Sequence, residues 1–222
     1  GTWTISGEGA DVWGSADQFH YVYKELTGDA VIVARVVDNG TGSNAWAKGG
    51  VMIRQSTEPG SVHAIMAITG GNGGGGAFQW RPEADGGSSS AHDDAAGMAP
   101  GYFVKLERVG NDFTGSYSAD GVTWIQQGDT QTIEMTDPAL IGLFVTSHAD
   151  GEIRTYTFDN VSIATMFDVT APGDVVQGVP NDGDWPGAET PDLAFDDDTS
   201  TKYLHFKGDF DPDPNTGGSG LQ

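Results

Sequence analysis

The chain has 222 residues, enough for one large all-β domain, or for one of about 150–170 residues with a smaller unit beside it. It contains no Cys, which excludes a disulfide framework, thiol catalysis and zinc–thiolate sites. Ten Lys and Arg against 32 Asp and Glu give a formal charge of −22, a field that repels duplex nucleic acid and anionic membrane surfaces.

Thirty-four Gly and 10 Pro indicate many tight turns. No apolar run reaches the roughly 18 residues of a membrane-spanning helix, so membrane insertion is not expected and the chain reads as a mature soluble segment. Helical periodicity is scarce, and short runs of Val, Ile, Phe, Tyr and Thr recur between Gly, Asn and Asp. The stretch Phe19-His20-Tyr21-Val22-Tyr23 places three aromatics on one face of a strand. His20, between two of them, is expected to be a hydrogen-bonded structural histidine. Residues 30–37 are apolar on both faces except at Arg35, as in a strand inside a sandwich. Further strands are expected at 49–54, 62–69, 77–81, 101–109, 112–118, 122–127, 139–148 and 152–163.

The clearest local signal runs from 101 to 127. Val104 and Leu106 alternate with Lys105 and Glu107, the chain turns at Gly110-Asn111-Asp112, and Phe113 and Tyr117 pattern the next strand. Asp120-Gly121 is a hairpin turn, after which Val122-Thr123-Trp124 returns, giving a three-stranded meander. About a dozen strands without a helix are best accommodated as two packed antiparallel sheets, closing near Ala164. From Thr165 to Gln222 the composition shifts to 12 Asp and Glu with only Lys202 and Lys207. Thr170-Ala171-Pro172-Gly173 reads as a linker. This segment alone buries too little apolar surface to offset chain entropy. The reading favoured is the opening of a longer domain, with a metal assisting, over disorder or packing on the first domain.

The stretches DQFHYVYKELTGDAVIVARV at 17–36, WAKGGVMIRQS at 46–56 and YFVKLERVGNDFTGSYSADGVTW at 102–124 resemble the concanavalin A-like, laminin G-like modules of large bacterial extracellular proteins. IGLFVTSH at 141–148 and TYTFDNVSI at 155–163 complete the pattern. The resemblance implies an all-β, two-sheet antiparallel jelly-roll sandwich over residues 1–164 and a secreted or cell-surface setting. It implies no fixed ligand, since related modules bind sugars, bind proteins or act as spacers. After a linker at 165–173, the acidic β/loop segment 174–222 contains PGAETPDLAFDDDTSTKYLHF at 186–206, which resembles the early strands and calcium loop of discoidin-like (coagulation factor 5/8 type C) domains. Asp197 stands where that family has Gly, and most of the family's sandwich is missing after Gln222.

Calcium is the expected cofactor, with a structural role. Hard cations take several oxygens from a tight loop, and Asp196, Asp198 and Thr201 supply them within six residues, as the discoidin resemblance implies. Asp209, Asp211 and Asp213 are spaced by two, which in extended backbone puts all three on one face, where they repel unless a cation sits between them. The competing reading is a solvated acidic linker.

A glycan rim is expected from Trp46, Trp80, Arg54, Arg81, His92 and His148. Pyranose C–H faces stack on aromatic rings, while Arg and His donate to hydroxyls. Trp80-Arg81 precedes a Gly/Ser loop that holds His92, and Trp46 and Arg54 serve equally as structural residues of the family motif. No GxSxG or HExxH motif occurs, and Glu83-Ala84-Asp85 lacks the second Glu that a sandwich glycosidase carries, with Gly87 in its place. Gly70-Gly71-Asn72-Gly73-Gly74-Gly75-Gly76 has no Lys-Ser/Thr ending and reads as a hairpin tip rather than a phosphate loop. The sequence therefore predicts no enzyme, but a carbohydrate-binding or adhesion-like module whose partner is a glycan or matrix polymer. The alternative is a structural repeat of a fibre or stalk that assembles with neighbouring copies or domains.

Overall fold

The computed structural model describes residues 1–42, 44–70, 75–93 and 97–166, all within the unit Gly1–Met166. The expected calcium ligands Asp196, Asp198, Thr201, Asp209, Asp211 and Asp213 lie outside the described residues, as do Gly71–Gly74 of the glycine run.

The described residues contain strands and no helix. In chain order they are β1 (Trp3–Gly9), β2 (Asp11–Trp13), β3 (Ala16–Gln18), β4 (His20–Leu26), β5 (Asp29–Asp38), β6 (Lys48–Arg54), β7 (His63–Thr69) and β8 (Gly76–Arg81). There follow β9 (Ser89–Asp93), β10 (Phe103–Val109), β11 (Asp112–Ser118), β12 (Ile125–Gln126), β13 (Gln131–Thr132), β14 (Ala139–Thr146) and β15 (Ala149–Met166).

Two antiparallel sheets form a sandwich. One runs β1-β15-β5-β10-β11-β12, with β13 also pairing to β11; the other runs β4-β14-β6-β7-β8-β9. The expected meander is β10-β11-β12, with Val104 and Leu106 buried and paired to Ala34 and Ile32 of β5. Gly110 takes φ +58 in the turn after β10, a left-handed conformation that glycine adopts without a Cβ clash. The strand expected at 152–163 is longer, reaching Met166 as β15.

Alternation decides which faces meet. Ile32, Val104, Leu106, Phe113 and Phe158 from the first sheet pack on Val51, Ile53, Met66, Ile68, Phe78 and Ile141 from the second. Each such side chain contributes about 1.5–3 kcal/mol when fully buried. The Tyr156 hydroxyl crosses the layer to donate to Ile68 O at 3.3 Å. Residues 30–37 are not apolar-buried on both faces, as expected from composition. Ala30, Ile32, Ala34 and Val36 are buried, whereas Val31, Val33 and Arg35 are half-buried, because this sheet's outer face is only partly covered.

The doubly buried strands are β6 and β7 instead, at every position. Their outer face carries a second apolar cluster of Met52, Ile65, Ala67 and Phe144 with Val12, Phe19 and Tyr21. Val12 belongs to a separate two-stranded ribbon, β2-β3, that lies on this face. The three aromatics expected on one face of β4 are found there: Phe19 and Tyr21 are 5.7 Å apart, and Tyr21 and Tyr23 stack at 5.0 Å. His20 is exposed on this edge strand, contrary to the expectation of a hydrogen-bonded structural histidine.

Candidate functional site

The β2-β3 ribbon is held to the sheet by charge. Arg54, His63 and Arg81 are direct neighbours across β6, β7 and β8, at one end of the covered face. Asp17 of β3 drops onto this row. Its two oxygens accept from both terminal nitrogens of Arg81 at 2.6 and 2.7 Å, while Arg54 Nη1 stands 3.4 Å away. Arg81 also donates to the carbonyls of Gly14, Pro59 and Ser61 at 3.1 Å, and Arg54 to those of Ser56 and Glu58 at 2.5 Å. Every nitrogen of both guanidinium groups thus has a partner, and the Arg54 Cζ lies 4.8 Å over the Phe19 ring. Burial pushes the Asp17 carboxyl up from its ordinary range, and the Arg81 and Arg54 cations pull it down. His63 is fully buried, and burial with the same two cations keeps its pKa well below 6.5. It is neutral, so its 3.4 Å approach to Asp17 is not an ion pair.

At the other end of this face the ribbon forms one wall of a cleft of about 390 Å³. Asp11 and Trp13 come from the ribbon, Lys48 from the start of β6, Gln79 from β8, and Ser90 and His92 from β9; Trp46 and His148 close it from loops. Trp13 is 41% and Trp46 48% exposed. The Trp46 ring lies 5.2 Å from that of His92. The cleft floor is a hydrogen-bonded chain. Asp11 Oδ1 accepts from its neighbour's Val12 N–H at 2.7 Å and from Lys48 Nζ at 2.8 Å. Lys48, almost fully buried, also donates to Gln79 Oε1 at 3.2 Å and Val12 O at 3.4 Å. On the other side, Asn44 Nδ2 donates to His148 Nδ1 at 3.1 Å and to His148 O at 2.7 Å. That places the imidazole proton on Nε2, which meets Asp11 Oδ2 at 3.0 Å. Asn44 Oδ1 accepts from the Trp46 N–H at 2.9 Å, so one side chain positions both an aromatic and a histidine. His148 has φ +53, a left-handed conformation that costs a non-glycine residue roughly 1 kcal/mol and is held here by these contacts.

Of the residues expected at a ligand rim, Trp46, His92 and His148 meet in this cleft. Arg54 and Arg81 are fully buried in the Asp17 cluster, where their donors bind protein oxygens. Trp80 is on the opposite face of β8, half-buried against the inter-sheet core, with Phe78 5.1 Å away. Asp11, Trp13, Lys48, Gln79 and Ser90 were not anticipated; the signal for Trp13 was the Trp-Gly turn between two short polar-apolar runs. Asp85 lies in the loop after β8, its N–H donating to Gly60 O at 2.8 Å. Among the described residues no group of three or more His, Asp and Glu is arranged to hold a metal ion. A second cleft of about 360 Å³, between Trp3, Val22, Ile32, Leu143, Val161 and Ile163, is apolar and lacks such a convergence of polar groups.

No protein-family model matches the sequence, and no curated protein matches it. Solved structures share its fold. A functionally unknown protein from Saccharomyces cerevisiae has a TM-score of 0.61 at 17% identity, over 75% of this chain and 89% of that one. The GH43 BlXynB protein from Bacillus licheniformis gives 0.53 at 14%, over 74% of this chain and 33% of that one. Bacteroides ovatus xyloglucan PUL GH43B gives 0.54 at 12%, over 75% and 33%. The chain thus spans about a third of each of these two GH43 proteins. At such identities the likeness establishes a β-sandwich and nothing further.

Proposed function

We propose that this protein is a non-catalytic saccharide-binding module of the concanavalin A-like type, acting outside the cell, with the cleft between Trp13 and Trp46 as its binding site. The observation that carries the reading is the placement of two exposed indoles beside a carboxylate, Asp11, that is fixed on both sides by Lys48 and His148. An indole face accepts the C–H face of a pyranose, and a pre-positioned acceptor fixes its orientation through a hydroxyl. Binding rather than hydrolysis is supported by the lining, in which Asp11 is the only carboxylate among the described residues. Glycoside hydrolysis needs two, roughly 5–9 Å apart. The two GH43 proteins, about a third of each of which shares this fold, fit this reading at the level of fold.

Glycan-array binding by the wild type that disappears in Trp46→Ala and Trp13→Ala, with unfolding midpoints preserved, is the expected result. An array on which wild type and variants look alike removes the reading. Calcium at Asp196, Asp198 and Thr201, and at a second cluster of Asp209, Asp211 and Asp213, belongs to the same proposal and is tested separately, by calorimetric calcium titration of wild type against Asp196→Asn/Asp198→Asn and Asp209→Asn/Asp211→Asn.

A further inference from the structure

We infer that the saccharide unit taken by the Trp13–Trp46 cleft is uncharged, an inference that rests on the saccharide reading above. The argument concerns where the cations are. Residues 1–164 hold 20 Asp and Glu against 8 Lys and Arg. Five of those eight cations, Lys48, Arg54, Arg81, Arg108 and Arg154, are buried. Two more are half-buried and engaged: Arg35 pairs with Asp159, and Lys105 lies over Trp124. Among the described residues Lys24 is the single exposed Lys or Arg side chain, and it borders the apolar cleft, not this one.

Within the cleft the one ammonium, Lys48, has three protons and three protein acceptors: Asp11 Oδ1, Gln79 Oε1 and Val12 O. It has no donor left for a carboxylate or sulfate. Both ring nitrogens of His148 are engaged, Nδ1 by Asn44 and Nε2 by Asp11, so neither is open to a ligand. A uronate or sulfated sugar would therefore enter a negative field with no uncommitted Lys or Arg to receive it. The same field would draw an amino sugar, but its ammonium finds Asp11, the carboxylate of the lining among the described residues, already paired with Lys48 at 2.8 Å. A carboxylate offers about four acceptor positions, and three are taken by Val12 N, Lys48 Nζ and His148 Nε2. The remaining position on Oδ2 suits one sugar hydroxyl. Two aromatic faces, one open acceptor position on Asp11, the Ser90 hydroxyl and no uncommitted Lys or Arg match a neutral pyranose.

The test presents wild-type protein with arrayed neutral hexose and pentose oligosaccharides, uronate and sulfated oligosaccharides, and glucosamine oligosaccharides, and repeats each hit with Trp13→Ala and Trp46→Ala. Trp-dependent hits are expected only in the neutral set. The same backbone oxidised to uronate at C6 should bind about tenfold or more weakly. A Trp-dependent hit whose affinity is as high or higher for the uronate, sulfated or glucosamine form overturns the inference and leaves the saccharide reading standing. No Trp-dependent hit in any set overturns that reading, and this inference with it.

Discussion

The two terminal nitrogens of Arg81 meet the two oxygens of Asp17 at 2.6 and 2.7 Å, and neither side chain reaches solvent. Breaking a buried, hydrogen-bonded pair from one side leaves the other charge uncompensated, at a cost of about 3–5 kcal/mol. Asp17→Asn is therefore expected to lose that much in urea unfolding. Arg81→Lys should lose nearly as much, because one ammonium cannot reach both carboxylate oxygens and the carbonyls of Gly14, Pro59 and Ser61. A loss under about 1 kcal/mol for either variant would show that the ribbon is not anchored by this pair.

His63 gives the fold a pH dependence. Burial keeps its pKa well below 6.5, so the folded state excludes a proton that the unfolded chain accepts near 6.5. A depressed folded value means that the contribution is complete above the unfolded pKa and is lost as pH falls below it. The slope there approaches 1.4 kcal/mol per pH unit, about one proton's worth. His63→Gln should flatten the fall in unfolding midpoint between roughly pH 6.5 and 5, whatever it does to stability at neutral pH. Parallel curves for wild type and variant would refute the assignment.

Trp46 is expected to separate binding from stability. It is nearly half exposed, so Trp46→Ala should change unfolding free energy by no more than about 1 kcal/mol. A stacked indole is worth enough that saccharide affinity should drop roughly ten- to a hundredfold. Calorimetry and urea unfolding on the same preparation read both numbers. Equal losses in the two would make Trp46 a packing residue only.

Gly142 tests how closely β4 and β14 approach. A Cβ placed there would lie 2.0 Å from Val22 O and 2.7 Å from the Tyr23 Cα, both backbone atoms of the paired strand. Gly142→Ala must push the strands apart and should cost about 3 kcal/mol. Gly87→Ala, whose Cβ meets nothing within 4 Å, is the neutral control.

Much of the sandwich could be read from alternation alone. Val104, Leu106 and Phe113 fall on the buried face as their two-residue spacing requires, and β11 starts and ends where the pattern does. The site was less legible. The residue chemistry alone groups Trp80 and Arg81 in one rim, yet consecutive residues of a strand point to opposite faces. That rule alone separates them, sending Trp80 to the core side and Arg81 to the outer face. The β2-β3 ribbon escaped notice because each strand has three residues, too few for a periodicity. Nothing local marks Arg81 as buried, since the carboxylate that neutralises it is 64 residues away. His148, by contrast, was singled out within a recognisable strand-end motif, and its role became visible only through Asn44 and Asp11, from two distant segments.

The grip on the ribbon turn is mostly made through main-chain oxygens: Arg81 reads the carbonyls of residues 13 and 14, and Ser88 Oγ reads the carbonyl of 14 again. Main-chain oxygens persist whatever side chain they carry. Positions 13, 15 and 16 can therefore change identity while the turn stays in place, provided Asp17 and Gly14, which takes φ +62, are kept. One wall of the proposed binding cleft is in this sense replaceable, and a library randomised at Trp13, which lines it, should yield folded proteins with altered ligand preference.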